Sequence, residues 1–241
     1  EVEVVKKEKD SDRVLEGAVF ALCAKDDITG ADGKVILKAD TVIEELATDK
    51  EGKLTFTADL PIGFAYYIKE TSPASGFATT DEIQEFTFEY EGAEKEKVSY
   101  AFTFEDEPTV IEITKTSLTD GKELEGAKLQ VTDESGKVVD SWTSGKEAHI
   151  IKELVVGQKY TLTETKPADG YVTAESITFT VEDTAKPQKI EMKDDVTKVE
   201  ISKTDISGKE LPGAKLIILD KDGKTVESWA SEEKPHYIEM L

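Results

Sequence analysis

The feature that most constrains the fold is an eight-residue segment that occurs twice. Residues 70–77 read Glu-Thr-Ser-Pro-Ala-Ser-Gly-Phe, and residues 164–171 read Glu-Thr-Lys-Pro-Ala-Asp-Gly-Tyr. Each copy follows a short strand-like run that begins with a tyrosine, and its Pro-Ala-x-Gly end is typical of a turn. A chain that repeats a strand and a turn in this way contains at least two copies of one folding unit.

Further repeats divide the chain into three parts. Gly126-Ala127-Lys128-Leu129 returns as Gly213-Ala214-Lys215-Leu216, and Glu16-Gly17-Ala18-Val19-Phe20 is a more distant copy of the same strand. We therefore expect a first unit at residues 1–107 with an insert near 24–45, a second unit at 108–195, and a third segment at 196–241. The third segment corresponds to the N-terminal half of one repeat, so we expect the sequence to be a fragment of something longer.

The hydrophobic pattern has a period of two throughout. Tyr160, Leu162 and Glu164 fall on one face of their run, and turns rich in Asp, Ser and Gly separate the runs. This pattern predicts an all-β chain of tandem Greek-key β-sandwiches, with the third one truncated. Seven strands are predicted in the second unit, near residues 110–116, 126–133, 137–143, 147–153, 158–165, 175–183 and 187–194.

The composition excludes several classes of function. A formal net charge of −22 argues against binding to nucleic acid or to an anionic membrane surface, since both are polyanions. The single cysteine, Cys23, forms no intrachain disulfide and is expected to be a buried thiol. Because no apolar stretch approaches 18 residues, no membrane span is predicted.

No cofactor and no metal are expected. The Asp-rich turns at 26–33 and 220–223 lack the ligand spacing of a calcium loop, and hairpin turns favour the same residues. His149 and His236 recur with one histidine per repeat, and Trp142 and Trp229 recur with them, which favours structural roles for all four.

Three charged residues occupy inward positions of the second unit. Lys115 lies on the face of its strand that carries Ile111 and Ile113, and Glu164 and Asp194 likewise end apolar faces. Ionised groups are costly to bury unless they neutralise one another. The alternation therefore predicts that these three side chains meet inside the sandwich.

The first unit repeats the arrangement with Lys6, Glu70 and Asp106. Lys7 remains an alternative to Lys6, because a register slip of one residue exchanges the two faces of a strand. Lysine and aspartate do not react in water, where both are ionised. Burial disfavours both charges, and a protonated glutamate beside them carries protons while an amide forms and water leaves. The pattern thus predicts a Lys–Asp isopeptide bond in each unit.

The spacing of these residues also resembles a known family. A lysine, Gly-Ala about ten residues later, Tyr-x-Leu-x-Glu-Thr-x-Pro and an alternating last strand resemble the Cna B-type (SpaA-like, prealbumin-like) domains of Gram-positive surface proteins and pilins. The resemblance implies extracellular stalk modules with self-formed isopeptide bonds, here Lys6–Asp106 assisted by Glu70 and Lys115–Asp194 assisted by Glu164. The usual acceptor in that family is Asn, and Asp at both positions makes water the leaving group.

The function expected from these observations is structural. We predict a stalk module of a cell-wall-attached surface protein, adhesin or minor pilin, with neighbouring domains of the same protein as partners. One alternative is an adhesin region that binds a host or matrix ligand, and a weaker one is a carbohydrate-processing enzyme with paired carboxylates. The sequence contains no Tyr-Pro-Lys type motif, so it does not support a major shaft pilin. Lys203 has neither a Glu box nor an acceptor in the chain, so no bond is expected in the third segment.

Overall fold

The computed structural model describes residues 1–89, 92 and 98–241. Its regular structure is β-strand throughout, which confirms the predicted all-β class. Among the described residues, no helix is long and apolar enough to cross a membrane.

The first unit is a sandwich of two sheets. One sheet has the order β6-β1-β9 and the other the order β5-β2-β7-β8. The apolar side chains of the facing sheets pack together, so each sheet buries one face against the other, and β2 is buried along nearly its whole length. The strands are β1 (Val2–Glu8), β2 (Val19–Ala24), β5 (Val42–Ala47), β6 (Lys53–Phe56), β7 (Ala65–Ser72), β8 (Ile83–Thr87) and β9 (Tyr100–Asp106).

The insert of the first unit contains a small hairpin. Strands β3 (Ile28–Thr29) and β4 (Val35–Leu37) form a separate two-stranded sheet within the described residues. Strand β5 begins at Val42, inside the range predicted as insert, and pairs with β2 at the sheet edge. The strand at the end of that range therefore belongs to the sandwich.

The second unit repeats the same two sheets, with orders β13-β10-β16 and β12-β11-β14-β15. All seven strands predicted for this unit are present, with ends that differ from the prediction by three residues or fewer. They are β10 (Val110–Ser117), β11 (Lys128–Asp133), β12 (Val138–Thr143), β13 (His149–Lys152), β14 (Lys159–Lys166), β15 (Ile177–Thr180) and β16 (Gln188–Asp194).

In both units the first and last strands are parallel neighbours. β1 pairs with β9 so that Lys6 lies beside Phe104, and β10 pairs with β16 so that Lys115 lies beside Met192. The C-terminal ends of the two strands therefore meet at the same end of the sandwich. That end also carries the Glu-Thr segment, at the end of β7 or β14.

The third segment forms two separate strand pairs. β17 (Lys198–Ile201) pairs with β20 (His236–Glu239), and β18 (Lys215–Leu219) pairs with β19 (Thr225–Ala230). These pairs correspond to β10 with β13 and β11 with β12 of the second unit. Lys203, the counterpart of Lys115, is exposed.

The joints between repeats use the glycine of the eight-residue segment. Gly76 has a φ of 88°, and a Cβ there would lie 2.8 Å from the Glu153 carbonyl oxygen of the second unit. The Thr109 amide donates to the Gly76 carbonyl at 3.0 Å. At the next joint Gly170 has a φ of 84° and contacts Met240 in the same way. A side chain at either glycine would be strained and would collide with the following repeat.

Candidate functional site

The first triad lies at the ends of three strands. Lys6 on β1, Glu70 on β7 and Asp106 on β9 all point into the sandwich, and their side chains have no solvent exposure. Val2 and Val4 precede Lys6 on the same buried face, as the alternation predicted. The β1 register therefore places Lys6 in the site. Lys7 points to the opposite side of the strand and is only partly buried.

The contacts of the first triad are short and specific. Lys6 Nζ lies 2.5 Å from Asp106 Oδ1 and 3.0 Å from Glu70 Oε1. The other oxygen of Glu70, Oε2, accepts a hydrogen bond from the Thr80 amide at 2.8 Å. The lysine nitrogen is therefore held between two carboxyl groups, and one of these is fixed by the backbone.

Burial shifts both carboxyl groups toward their neutral forms. Loss of hydration raises the pKa of Glu70 to about 7, and burial also raises the pKa of Asp106. Glu70 Oε1 has its ion-pair contact with Lys6, and Asp106 Oδ2 is buried without a hydrogen-bond partner among the described residues. A buried acceptor of this kind suits a neighbouring glutamic acid in its neutral form.

The second triad has the same construction. Lys115 Nζ contacts Asp194 Oδ1 and lies 3.0 Å from Glu164 Oε1, and these side chains are at most 1% exposed. The Ala174 amide donates to Glu164 Oε2 at 2.7 Å, as Thr80 does to Glu70. Burial raises the pKa of Asp194 to about 6. The structure thus brings together all six residues singled out from the sequence, in two matching groups of three.

Two features of the sites were not found from the sequence. The Phe20 ring centroid lies 5.4 Å from Lys6 Nζ, and backbone amides orient both glutamates. The Phe20 position carried only an apolar signal that many core positions share. A backbone amide carries no residue signature at all, so the roles of Thr80 and Ala174 had no signal in the sequence.

The repeated histidines and tryptophans form stacked pairs that close the sandwich edge. Trp142 and His149 stack with ring centroids 4.0 Å apart, and His149 Nε2 lies 2.8 Å from Asp140 Oδ2. Trp229 and His236 repeat the stack at 4.4 Å, with Glu227 in place of the aspartate. Trp142 also packs against the core, which is consistent with the structural roles expected for these residues.

The Asp-rich turns use their carboxylates to bind their own backbone. Asp32 Oδ1 accepts from the Lys34 amide, and Asp220 Oδ1 accepts from the Asp222 and Lys224 amides. Within the described residues, no group of three potential ligands is arranged to hold a metal ion. Cys23 is buried as predicted, and burial raises the pKa of its thiol.

Comparison with known families decides the classification. A family model described as the SpaA prealbumin-like fold domain matches residues 1–101 and again residues 109–196. The chain belongs to this family. The two matches fall on the first and second units, each of which contains one triad. No curated protein matches the sequence.

Solved structures of similar fold come from Gram-positive bacteria. The Bacillus anthracis TIE protein is 23% identical with a TM-score of 0.51, and the match covers 99% of this chain. The chain spans 43% of the length of that protein. The shaft pilin SpaA of Lactobacillus rhamnosus GG is 17% identical with a TM-score of 0.36, covering 81% of this chain and 97% of the pilin. A streptococcal ancillary pilin is 23% identical with a TM-score of 0.33, covering 80% of this chain and 61% of that one.

Proposed function

We propose that the chain is a structural stalk region whose two SpaA domains are each locked by a self-formed Lys–Asp isopeptide bond. Lys6 joins Asp106 in the first unit, and Lys115 joins Asp194 in the second. The observation that carries the proposal is the repeated burial of one amine between two carboxyl groups. An ordinary ion pair would explain one such buried group, but two with matching strands, distances and backbone donors point to a shared chemistry.

The reaction is a condensation within the folded domain. A proton passes from the Lys6 ammonium to the Asp106 carboxylate, which leaves a neutral amine beside a neutral acid. The amine nitrogen attacks Cγ of Asp106, and Glu70 takes a proton from that nitrogen and gives one to the departing hydroxyl. The C–N bond forms, the C–O bond breaks, and one water molecule leaves, so atoms and charge balance.

Each step has a physical basis in the site. Burial of the triad favours the neutral forms of Glu70 and Asp106. Contact at 2.5 Å between Lys6 Nζ and Asp106 Oδ1 replaces a bimolecular encounter, which supplies a large part of the rate acceleration. The Thr80 amide keeps Glu70 in position for proton transfer in both directions. Glu164 does the same in the second unit with the Ala174 amide.

The position of the bonds fits a mechanical role. Each bond joins the first strand of a unit to its last strand, and in the second unit these two strands also connect the unit to the repeats on either side. Tension along the chain therefore passes through the bond without loading the hydrogen bonds of the sheets. Short joints, such as the contact of Gly76 with Glu153, keep successive units in defined contact.

This role places the chain outside the cell, in a surface protein, adhesin or minor pilin attached to a Gram-positive cell wall. The partners are neighbouring domains of the same protein, and the only chemistry is the formation of the bonds themselves. Among the described residues, the large exposed apolar side chains include one aromatic ring, that of Tyr237, which supports a stalk over a ligand-binding surface.

Intact mass spectrometry tests the proposal directly. The purified chain should be lighter than its sequence mass by two water molecules. Tryptic digestion should release two branched peptides, one joining β1 to β9 and one joining β10 to β16. A native protein with the full sequence mass would contradict the proposal.

A further inference from the structure

A side chain of the second unit contacts the first unit beside its triad. Asp183 follows β15, in the turn that leads to β16. Its Oδ1 accepts a hydrogen bond from the Thr79 amide at 2.7 Å, and its Oδ2 accepts one from the Thr79 hydroxyl at 2.7 Å. Both carboxylate oxygens therefore hold one residue of the neighbouring domain, and a paired contact of this kind fixes direction as well as distance.

The residue held by Asp183 directly precedes the residue that orients the glutamate. The Thr80 amide donates to Glu70 Oε2 at 2.8 Å, so Asp183, Thr79, Thr80 and Glu70 form a continuous series of contacts. We infer that Asp183 is a positioning residue for the Lys6–Asp106 bond, acting across the joint by fixing the segment that orients Glu70. This inference rests on the proposed function.

The surroundings of Asp106 are consistent with this role. A cavity of about 350 Å³ lies at the joint, lined by Thr79, Thr80 and Asp106 of the first unit and by Ala185 of the second. The second unit therefore lines the same cavity as Asp106. The pKa of Asp106 is raised mainly by burial, and the negative charge of Asp183 adds to this effect. A neutral Asp106 is the form that the amine attacks.

The second triad provides an internal contrast. Thr173 occupies the position of Thr79, and the Ala174 amide that follows it holds Glu164 at 2.7 Å. Within the described part of the chain, the Thr173 side chain is exposed and makes no hydrogen bond. The bond of the first unit therefore depends on the neighbouring unit, whereas the bond of the second unit has no such contact. We expect the first bond to form only after the second unit has folded and docked.

The test follows both bonds in the same molecule. The full chain is synthesised in a cell-free reaction, samples are stopped in acidic denaturant at intervals, and the two branched tryptic peptides are quantified by mass spectrometry. Asp183→Ala should slow formation of the Lys6–Asp106 bond by about tenfold, since small displacements of a positioned group cost that much or more. The rate of the Lys115–Asp194 bond should stay unchanged, which also shows that the second unit still folds.

Conservative and matched variants separate positioning from general stability. Asp183→Asn keeps an acceptor for the Thr79 amide and should recover most of the rate. Thr79→Val removes only the hydroxyl contact and should slow the first bond less than Asp183→Ala does. Thr173→Val, at the equivalent position of the second unit, and Glu182→Gln, an exposed carboxylate next to Asp183, should change neither rate.

The outcomes distinguish this inference from the proposed function. If the unmodified chain forms both bonds and Asp183→Ala leaves the first rate unchanged, the inference is wrong and the proposed function stands. Equal slowing of both bonds also contradicts it, because the effect would then be on folding in general. If the unmodified chain forms neither bond, the proposed function fails, and the inference fails with it.

Discussion

The two triads have the same charged residues on matching strands, but the apolar side chains beside them differ. In the first unit, Phe20 lies across from Glu70 and Phe104 lies beside Lys6, with the two rings 4.8 Å apart. In the second unit the corresponding positions are Leu129, across from Glu164, and Met192, beside Lys115. The charged residues and the backbone donors to the glutamates match, so the strand register alone sets the geometry of the reacting groups.

The apolar side chains beside the two lysines give them different contacts. The face of an aromatic ring attracts a cation, and the Phe20 ring centroid lies 5.4 Å from Lys6 Nζ. In the proposed reaction the amine attacks without its charge, so this attraction is lost during the first step. Leu129, at the corresponding position of the second unit, has no ring. The comparison predicts that the two sites perform the same reaction and that the ring slows the first one.

Removing either lysine should have the largest effect. Lys6→Ala and Lys115→Ala should each abolish one bond and leave the other intact, which raises the intact mass by one water molecule beyond the substitution itself. The residues of the two proposed bonds are 100 and 79 positions apart in the sequence. For loops of that length a cross-link lowers the conformational entropy of the unfolded chain, which raises the free energy of the unfolded chain by about 4–5 kcal/mol. Urea unfolding should therefore show a similar loss of stability in both variants.

Lys7→Ala is the matched control for this experiment. Lys7 is the next residue on β1, but its side chain lies on the opposite face of the strand. Its replacement should leave both branched peptides in place. Loss of the first bond in Lys7→Ala, with retention in Lys6→Ala, would show that the register of β1 differs from the one described.

The glutamates should affect the rate of bond formation and leave the fold intact. Glu70→Ala and Glu164→Ala each remove the group that carries protons, which typically costs about 10²–10⁴-fold in rate. Time-resolved peptide mapping should show slow bond formation only in the unit that carries the substitution. The circular dichroism spectrum of each variant should stay near-native. Glu164→Gln keeps an oxygen that accepts from the Ala174 amide, but a glutamine side chain cannot transfer a proton. If Glu164→Gln reacts as fast as the unmodified chain, Glu164 orients the site and does not transfer protons.

Much of this site is predictable from the sequence because alternation along a strand fixes which side chains point inward. Lys115, Glu164 and Asp194 each end an apolar face, so burial of all three follows from the period alone. The choice between Lys6 and Lys7 does not follow from the period, since it depends on the pairing of β1 with β9. The contact of Asp183 with Thr79 spans 104 positions and two units, and no local pattern contains it.

The pH dependence should differ between the two bonds. Burial raises the pKa of Glu70 to about 7, and the proposed reaction needs Glu70 in its protonated form. The rate of the first bond should therefore fall as the pH rises through 7. Burial raises the pKa of Asp194 to about 6, and in the proposed reaction the ionised Asp194 takes its proton from the Lys115 ammonium. The rate of the second bond should therefore increase as the pH rises through 6. Each change should approach about tenfold per pH unit, as for a single titrating proton.

Cell-free reactions buffered between pH 5 and pH 9 are not suitable for this measurement, because synthesis itself depends on pH. Chain made at one pH should instead be captured early, unfolded in acid, and refolded by dilution into each buffer. The fraction of each branched peptide then gives both rates from one sample. A common midpoint for the two bonds would contradict the assignment of separate controlling groups.

The smallest expected effect concerns the Phe20 ring beside Lys6. Phe20→Leu gives the first site the residue that Leu129 supplies in the second, and it removes the attraction between the ring and the Lys6 ammonium. An interaction of roughly 0.5–1 kcal/mol that is lost during the reaction corresponds to a two- to fivefold slower rate, so the first bond should form that much faster in this variant. Phe104→Leu is the control, because Phe104 is equally buried and packs against Phe20. Both variants remove a similar volume from the core, so an equal change in rate would assign the effect to packing. A faster first bond in Phe20→Leu alone would show that the attraction between the ring and the ammonium slows the reaction, and that this contact distinguishes two otherwise matching sites.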